Sequence, residues 1–155
     1  MRRRKQAGLT LIELIVAFTV MLILATLAVP LARAKVRVER ERDLRRALTE
    51  MRNAIDKYKD LCDTGAFGPM KQGTYCYPES LEQLVEGVKL ASSPNGDKLR
   101  FLRRIPRDPY TGKQDWGMRA NQDDPKSQSF GGQNLYDVYT KTTERALDGT
   151  QLSEW

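Results

Sequence analysis

A long apolar stretch near the start of the chain constrains the structure more than any other feature. Residues 9–32 span 24 positions with one charged side chain, Glu13. At about 1.5 Å per residue a helix of this length reaches about 36 Å, which exceeds the roughly 30 Å of a bilayer's hydrocarbon core. Four cations, Arg2 to Lys5, precede the stretch, and short basic segments remain cytoplasmic. The pattern predicts a transmembrane segment, with the rest of the chain exported.

Glu13 is the unusual residue of this stretch. A carboxylate in an apolar span costs about 2.5–3.5 kcal/mol at mid-membrane, so it indicates a function and a cationic partner. The alternative is that Glu13 lies at the interface and extends to water. A cut between Gly8 and Leu9 would place a new α-amino group four residues before Glu13, on the same helical face. That amine is a candidate partner, within the chain or on a neighbouring copy.

The residues around this junction, Lys5 to Leu14, read Lys-Gln-Ala-Gly-Leu-Thr-Leu-Ile-Glu-Leu. They resemble the processing signature of type IV pilins and of the pseudopilins of type II secretion systems. The resemblance implies that prepilin peptidase cuts after Gly8, that Leu9 becomes N-methylated, and that Glu13 directs assembly into a filament. Pro30 matches a proline that distorts the helix in this family. Leu9 departs from the phenylalanine or methionine that is usual there.

Two other interpretations of the apolar stretch remain open. A secretory signal peptide cut after Ala32 or Ala34 is one, although such peptides have an apolar region of only about 7–15 residues. The other is a single-pass anchor that carries a periplasmic binding or sensing domain and does not polymerise. A plain anchor needs neither a glycine junction at Gly8 nor a charge at Glu13, which favours the pilin-like interpretation.

The chain after the apolar stretch predicts one long helix followed by a small domain. No Gly or Pro interrupts residues 31–64, so the helix is expected to continue, bent near Pro30. Its outer part carries an apolar stripe at steps of three and four residues. The stripe consists of Leu44, Ala47, Leu48, Met51, Ile55, Tyr58 and Leu61 or Cys62. The predicted divisions are a leader (1–8), a transmembrane and assembly helix (9–32), an amphipathic continuation (33–64) and a periplasmic globular domain (65–155).

The globular part predicts an α+β, pilin-like fold. Ser80 and Gln83 form a capping-box pattern, which predicts a short helix that ends near Leu90. Residues 99–105 fit either a helical turn or a strand. Residues 114–119 and 135–140 are candidate strands, and Asp148-Gly149 predicts a hairpin turn. We therefore expect the long helix to pack against one small antiparallel sheet.

The two cysteines, Cys62 and Cys76, are candidates for a disulfide. In an oxidising periplasm such a bond would close the loop between them, while two unpaired thiols are the alternative. A soft metal site is not expected, because the chain has no histidine and no third cysteine to complete a ligand set.

Charge and composition argue against several classes of function. The net charge is +6, but the leader supplies four of these charges, so a chain that begins at Leu9 carries +2. This weakens the case for a nucleic-acid partner. Without histidine there is no imidazole base, and no Gly-rich phosphate cradle is present. We expect a structural protein, not an enzyme.

Motifs in the second half extend the resemblance. Arg104-Ile-Pro-Arg-Asp-Pro-Tyr-Thr-Gly, Tyr136-Asp-Val-Tyr, Leu147-Asp-Gly and Trp155 are similar, in that order, to the major pseudopilin of type II secretion systems. The resemblance implies a homopolymeric periplasmic filament for protein export. It also implies an inner-membrane location, with an assembly platform and minor pseudopilins as partners. A surface pilin for adhesion, motility or DNA uptake is the alternative.

In that family, acidic side chains and carbonyls of the last loop bind calcium, and Asp148 corresponds to one of these ligands. Two differences bear on the site. The segment Lys141–Arg145 looks inserted, and the acidic, glycine-rich run expected after Gly149 is missing. Because calcium takes six to eight oxygen ligands, a plain hairpin turn at Asp148 is the alternative. The resemblance implies no other cofactor.

Overall fold

The computed structural model describes residues 10–93 and 96–155. In chain order its elements are helix α1 (Leu11–Asp63), helix α2 (Leu81–Glu86), strands β1 (Val88–Lys89), β2 (Lys98–Leu99), β3 (Gly117–Arg119) and β4 (Asp137–Tyr139), and a 3-10 helix (Leu152–Glu154). The chain divides into two units between Glu39 and Arg40. One long helix combined with small antiparallel sheets confirms the predicted α+β, pilin-like class.

Helix α1 confirms the predicted long helix. It ends at Asp63, two residues before Gly65. The N–H of Gly65 donates to the carbonyl of Cys62, and the N–H of Ala66 donates to Leu61. Gly65 adopts a φ of 78°, in the left-handed region that favours glycine. This pair of bonds satisfies the last carbonyls of the helix and turns the chain away from its axis.

The predicted apolar stripe of α1 is buried and forms the centre of the core. Buried side chains of α1 contact those of α2, β4 and the loops, and the cluster includes Leu44, Leu48, Met51, Ile55, Tyr58, Leu84, Trp116, Leu135, Val138 and Leu152. Of the two candidates at the end of the stripe, Cys62 is buried and Leu61 is half-buried. Ala54 is also buried and belongs to the stripe. It was not among the predicted stripe residues, because alanine is too small to stand out as a core residue.

Helix α2 begins as the capping box predicts but ends earlier. The main-chain N–H of Gln83 donates to Ser80 Oγ, and the Gln83 side-chain carbonyl accepts from the N–H of Glu79. The predicted end near Leu90 is wrong, because Gly87 adopts a φ of 84° and stops the helix at Glu86. A β-carbon at Gly87 would lie 2.7 Å from the carbonyl oxygen of Leu99, so a glycine is needed there.

The strands form two separate pairs, and the prediction of one sheet is wrong. β1 pairs with β2 antiparallel, with Val88 opposite Leu99, and β3 pairs with β4, with Met118 opposite Val138. Residues 88–89, expected as the end of a helix, are therefore a strand. Of the segment 99–105, which periodicity left open, Leu99 belongs to the partner strand β2. Each strand is only two or three residues long. Because strand pairs this short are not stable alone, packing against the core around the α1 stripe stabilises them.

The disulfide between Cys62 and Cys76 joins the end of α1 to the following loop, with a Cα–Cα distance of 5.5 Å. In that loop Tyr75 and Cys76 have φ values of 51° and 64°. Left-handed backbone costs a non-glycine residue about 1–2 kcal/mol. The covalent link and the surrounding packing offset this cost.

Candidate functional site

The first part of α1, residues 11–29, carries the sequence-predicted assembly site, and we call it the apolar segment. The large apolar side chains that the structure describes in this segment are exposed, with Leu11 at 81%, Met21 at 71% and Phe18 at 66%. Others with at least half of their surface exposed are Ile12, Leu14, Ile15, Val16, Val20, Leu22, Ile23, Leu24 and Val29. Contiguous exposed apolar surface of this extent marks a site of protein or membrane interaction.

Glu13 lies in the first turn of α1. Its main-chain N–H donates to Thr10 Oγ1 at 3.4 Å, and the N–H of Leu14 donates to the Thr10 carbonyl at 3.2 Å. Thr10 therefore caps the helix, and its position three residues before Glu13 is the sequence signal that would have identified it. The cap orients the first turn, and the exposed Glu13 carboxylate lies at the positive end of the helix dipole.

The two hydroxyl groups within the apolar segment bond to the backbone of their own helix. Thr19 Oγ1 donates to the Val16 carbonyl at 2.8 Å, and Thr26 Oγ1 donates to the Ile23 carbonyl at 2.7 Å. Because a buried hydroxyl without a partner costs free energy, this arrangement lets the segment enter an apolar environment at little polar cost.

The two predicted processing residues fall outside the described parts of the chain. Gly8 and Leu9, the predicted cleavage and methylation positions, are both outside residues 10–93 and 96–155. Pro30 lies inside α1, which continues on both sides of it. Within the described ranges, no helix has the combination of length and apolarity that crossing a membrane requires.

The predicted hairpin turn at Asp148-Gly149 is present and is held by its own residues. Arg145 and Gln151 form an antiparallel bridge across it, and Gly149 has a φ of 87°. Asp148 Oδ1 accepts from both the N–H and the hydroxyl of Thr150, at 2.9 and 2.6 Å. These two bonds, together with the nearby Arg45 guanidinium, lower the pKa of Asp148 below its usual value.

The surroundings of this turn are rich in arginine. The Arg45 guanidinium lies over the Trp155 ring, 4.0 Å from its centroid. Arg145 Nη1 donates to the Gly149 carbonyl at 3.1 Å. A cleft of about 410 Å³ separates the turn from α1, and its lining residues are Arg45, Leu48, Thr49, Arg52, Asp148, Thr150 and Trp155.

Residues 3–29 match the family model described as "Prokaryotic N-terminal methylation motif". The chain is 30% identical over 112 residues to "Type II secretion system core protein G" of Aeromonas hydrophila, covering 71% of each chain. The chain belongs to the type II secretion system core protein G family. It is also 32% identical to the Escherichia coli K12 protein of that name, over 108 residues and 68% of each chain.

A third member of the core protein G family, from Pseudomonas aeruginosa, is 32% identical over 111 residues, which is 71% of this chain and 72% of that protein. No solved structure matches the chain. The family assignment agrees with the resemblance to the major pseudopilins that the amino-terminal signature and the later motifs carry.

The calcium site that the resemblance implies for this family does not fit the residues present. Calcium takes six to eight oxygen ligands. Here one oxygen of Asp148 already accepts two bonds from Thr150, and the Gly149 carbonyl accepts from Arg145. Among residues 10–93 and 96–155, no group of three His, Cys, Asp or Glu side chains is placed to hold a metal ion.

Sequence reasoning missed a charged cluster that holds the last residues against α1. Arg52 Nε donates to Asp137 Oδ1 at 2.6 Å, and Arg52 Nη2 donates to the Trp155 carbonyl at 2.6 Å. Arg119 Nη1 reaches Asp137 Oδ2 at 3.4 Å, and Arg119 Nη2 donates to the Ser153 carbonyl at 3.1 Å. Asp137 thus lies between two guanidinium groups from different elements. No local pattern links residues this far apart in sequence.

Proposed function

We propose that this chain is a pseudopilin of a type II secretion system, a structural subunit that polymerises into a periplasmic pseudopilus and thereby drives protein export. The observation that carries the proposal is the coincidence of the methylation motif at residues 3–29 with Glu13 at the start of an exposed apolar segment. A filament subunit needs both features, a processing signal and an apolar surface for packing. Neither feature is expected of a freely soluble domain.

Processing is the first step of the proposed function. Prepilin peptidase cuts between Gly8 and Leu9, and the new amino group of Leu9 is methylated. Cleavage removes four cations from the start of the chain and creates one amine four residues before Glu13. The processed chain then begins with one basic group at Leu9 and one acidic group at Glu13, in place of an acidic group beside a basic leader.

Assembly follows from the cost of burying charge. In a filament core, either the Glu13 carboxylate or the Leu9 amine alone would cost several kcal/mol. Pairing the carboxylate of one copy with the amine of its neighbour offsets that cost and sets the register between copies. Burial of the apolar side chains supplies the driving force. The contacts are head-to-tail, so they propagate and do not close.

We also propose that residues 9–32 anchor each stored subunit in the inner membrane in a single pass. Arg2 to Lys5 would remain cytoplasmic, and residues 65–155 would lie in the periplasm. The exposed apolar side chains and the internally bonded hydroxyls of Thr19 and Thr26 support this placement. The disulfide between Cys62 and Cys76 suits an oxidising compartment.

The partners that this proposal implies are prepilin peptidase, further copies of the chain, other pseudopilins and an inner-membrane assembly platform. The core protein G family is structural, and we propose that this chain has no catalytic activity of its own. Export is then mechanical work performed by the growing fibre.

The first experiment is intact-mass measurement with amino-terminal mapping, on full-length protein extracted from membranes of cells with and without prepilin peptidase. We expect a chain that begins at Leu9 and is one methyl group heavier, only when the peptidase is present. A chain that begins at Met1 or Arg2 in both strains would contradict the filament proposal. A cut after Ala32 or Ala34 would identify an ordinary secreted protein.

A further inference from the structure

The residues around Asp148 point to a loop that is closed without a metal ion. We infer that Arg45 and Arg145 replace a divalent cation at the turn of residues 144–152, so that this turn keeps its fold in the absence of calcium. The proposal concerns the stability of the globular unit and is independent of filament assembly.

Several acceptor oxygens of the turn are already bonded to donors of the chain. Asp148 Oδ1 accepts from the Thr150 N–H and hydroxyl, and the Thr150 oxygen accepts from Trp155 Nε1 at 2.9 Å. The Gly149 carbonyl accepts from Arg145. The Thr150 carbonyl accepts from the Ala146 N–H at 2.9 Å. Calcium binding would have to break several of these bonds to gather six oxygens.

The charge around the turn also opposes a divalent cation. Arg45 lines the cleft beside Asp148, and Arg145 Nη1 donates to the Gly149 carbonyl. Two guanidinium groups therefore lie at the turn that contains Asp148, while Arg52, which also lines the cleft, pairs with Asp137. The Glu41 carboxylate is near too, but it accepts the N–H of Leu147 at 2.8 Å and serves as an anchor of the loop on α1.

The same arginines hold the segment in place. The Arg45 guanidinium stacks on the Trp155 ring, and a cation over an indole face is attracted by the ring electrons. Arg145 closes the turn on the Gly149 carbonyl. Beneath the turn, Leu152 is fully buried, and its N–H donates to the Glu144 carbonyl at 3.2 Å. The cationic contacts and this apolar anchor together supply what a metal ion would otherwise supply.

The test is amide hydrogen exchange of the full-length protein in detergent, with 2 mM CaCl2 or with EGTA. The amides of Ala146, Gly149, Thr150 and Leu152 report on the turn, because each donates one of the bonds described above or closes the turn. We expect their exchange rates to agree within about twofold in the two buffers. A calcium-dependent slowing of about tenfold would overturn the proposal.

Substitutions test the role of the arginines. In Arg45→Ala and Arg145→Ala we expect the same amides to exchange about threefold faster or more, the factor that corresponds to loss of one such contact. Arg46→Ala is the matched control, because the Arg46 side chain is 80% exposed and pairs only loosely with Asp43 at 3.7 Å. Unchanged exchange in both test variants would overturn the assignment of these residues, whatever calcium does.

Discussion

At the scale of single residues, the Asp137 carboxylate joins two guanidinium groups of the globular unit. It lies between Arg52 and Arg119, and the Arg119 side chain is only 7% exposed. Both arginines also bond to main-chain carbonyls of the last residues, so Asp137 fixes the orientation of donors that hold that segment. Loss of the carboxylate would leave a nearly buried guanidinium without its counter-charge.

Asp137→Asn should therefore destabilise the protein by about 1.5–3 kcal/mol, the range for hydrogen bonds to charged groups. The measurement is chemical unfolding of the full chain in detergent, followed by near-ultraviolet circular dichroism of the tryptophans. Asp115→Asn is the control, because Asp115 pairs with Lys141 at an exposed site and such pairs contribute less than about 1 kcal/mol. Equal effects of the two substitutions would contradict the central place of Asp137.

Asp148 gives a second residue-scale prediction, which concerns pH. Its pKa in the folded protein is lowered from 3.8 by the Thr150 bonds, so its contribution to stability is present above pH 3.8. That contribution is lost as the pH falls through the lowered pKa. A carboxyl-carbon NMR titration should find the pKa of Asp148 below 3.8, and Thr150→Val should raise it.

Two variants serve as controls for that titration. Thr150→Ser keeps the hydroxyl and should leave the pKa low, while Thr143→Val, at another exposed threonine, should not change it. A pKa of Asp148 that is the same in Thr150→Val and in the unaltered chain would show that the hydroxyl bond is not its cause.

At the scale of secondary-structure elements, helices were predictable and strand pairing was not. The α1 stripe repeats over many turns, and Ser80 with Gln83 marks the start of α2, so local pattern identifies both helices. The end of α2 depends on Gly87, whose close approach to Leu99 is a contact between separate segments. Strands of two or three residues carry too little alternation to reveal a partner.

Turns, too, were predictable where adjacent residues define them and not where distant residues do. Asp148-Gly149 predicts its hairpin from two adjacent residues, as the structure confirms. Asp108 was not identified, yet it is fully buried, and it accepts from the N–H of Tyr110 at 2.8 Å and from Thr140 Oγ1 at 2.5 Å. The bond to Thr140 joins segments 32 residues apart. A hydrogen bond between such distant segments depends on the tertiary fold, so the local sequence does not reveal it.

The disulfide is the element-scale feature that is most open to measurement. It closes a loop with a sequence separation of 14, for which the chain-entropy model gives a stabilisation of about 3 kcal/mol. The double variant Cys62→Ser with Cys76→Ser should lose about that much in chemical unfolding. The unaltered chain under reducing conditions should show a similar loss. A loss well below 1 kcal/mol in both would mean that packing alone holds the left-handed backbone at Tyr75 and Cys76.

At the scale of the whole molecule, the chain separates two tasks by sequence position. Residues 40–155 have a buried core, several ion pairs and a disulfide, and these give a stable folded unit. In residues 11–29, the large apolar side chains that the structure describes are instead exposed. Removing this apolar surface from water, by contact with a membrane or with another copy, would be favourable by about 25 cal/mol per Å². The chain is thus built to act in contact with a membrane or with other copies.

Substitution of Glu13 tests directly whether residues 11–29 act in contact with other copies of the chain. In Glu13→Gln the carboxylate is lost while the helix and its apolar surface remain, so a neighbouring Leu9 amine would be buried without a counter-charge at a cost of several kcal/mol. We expect cleavage after Gly8 to continue but assembled filament, quantified by cross-linking of intact cells, to fall at least about tenfold, which corresponds to about 1.4 kcal/mol. Glu39→Gln, an exposed acid of the same helix, should assemble normally. If Glu13→Gln assembled as well as that control, apolar packing alone would set the register, and the proposed carboxylate–amine pair would have to be abandoned.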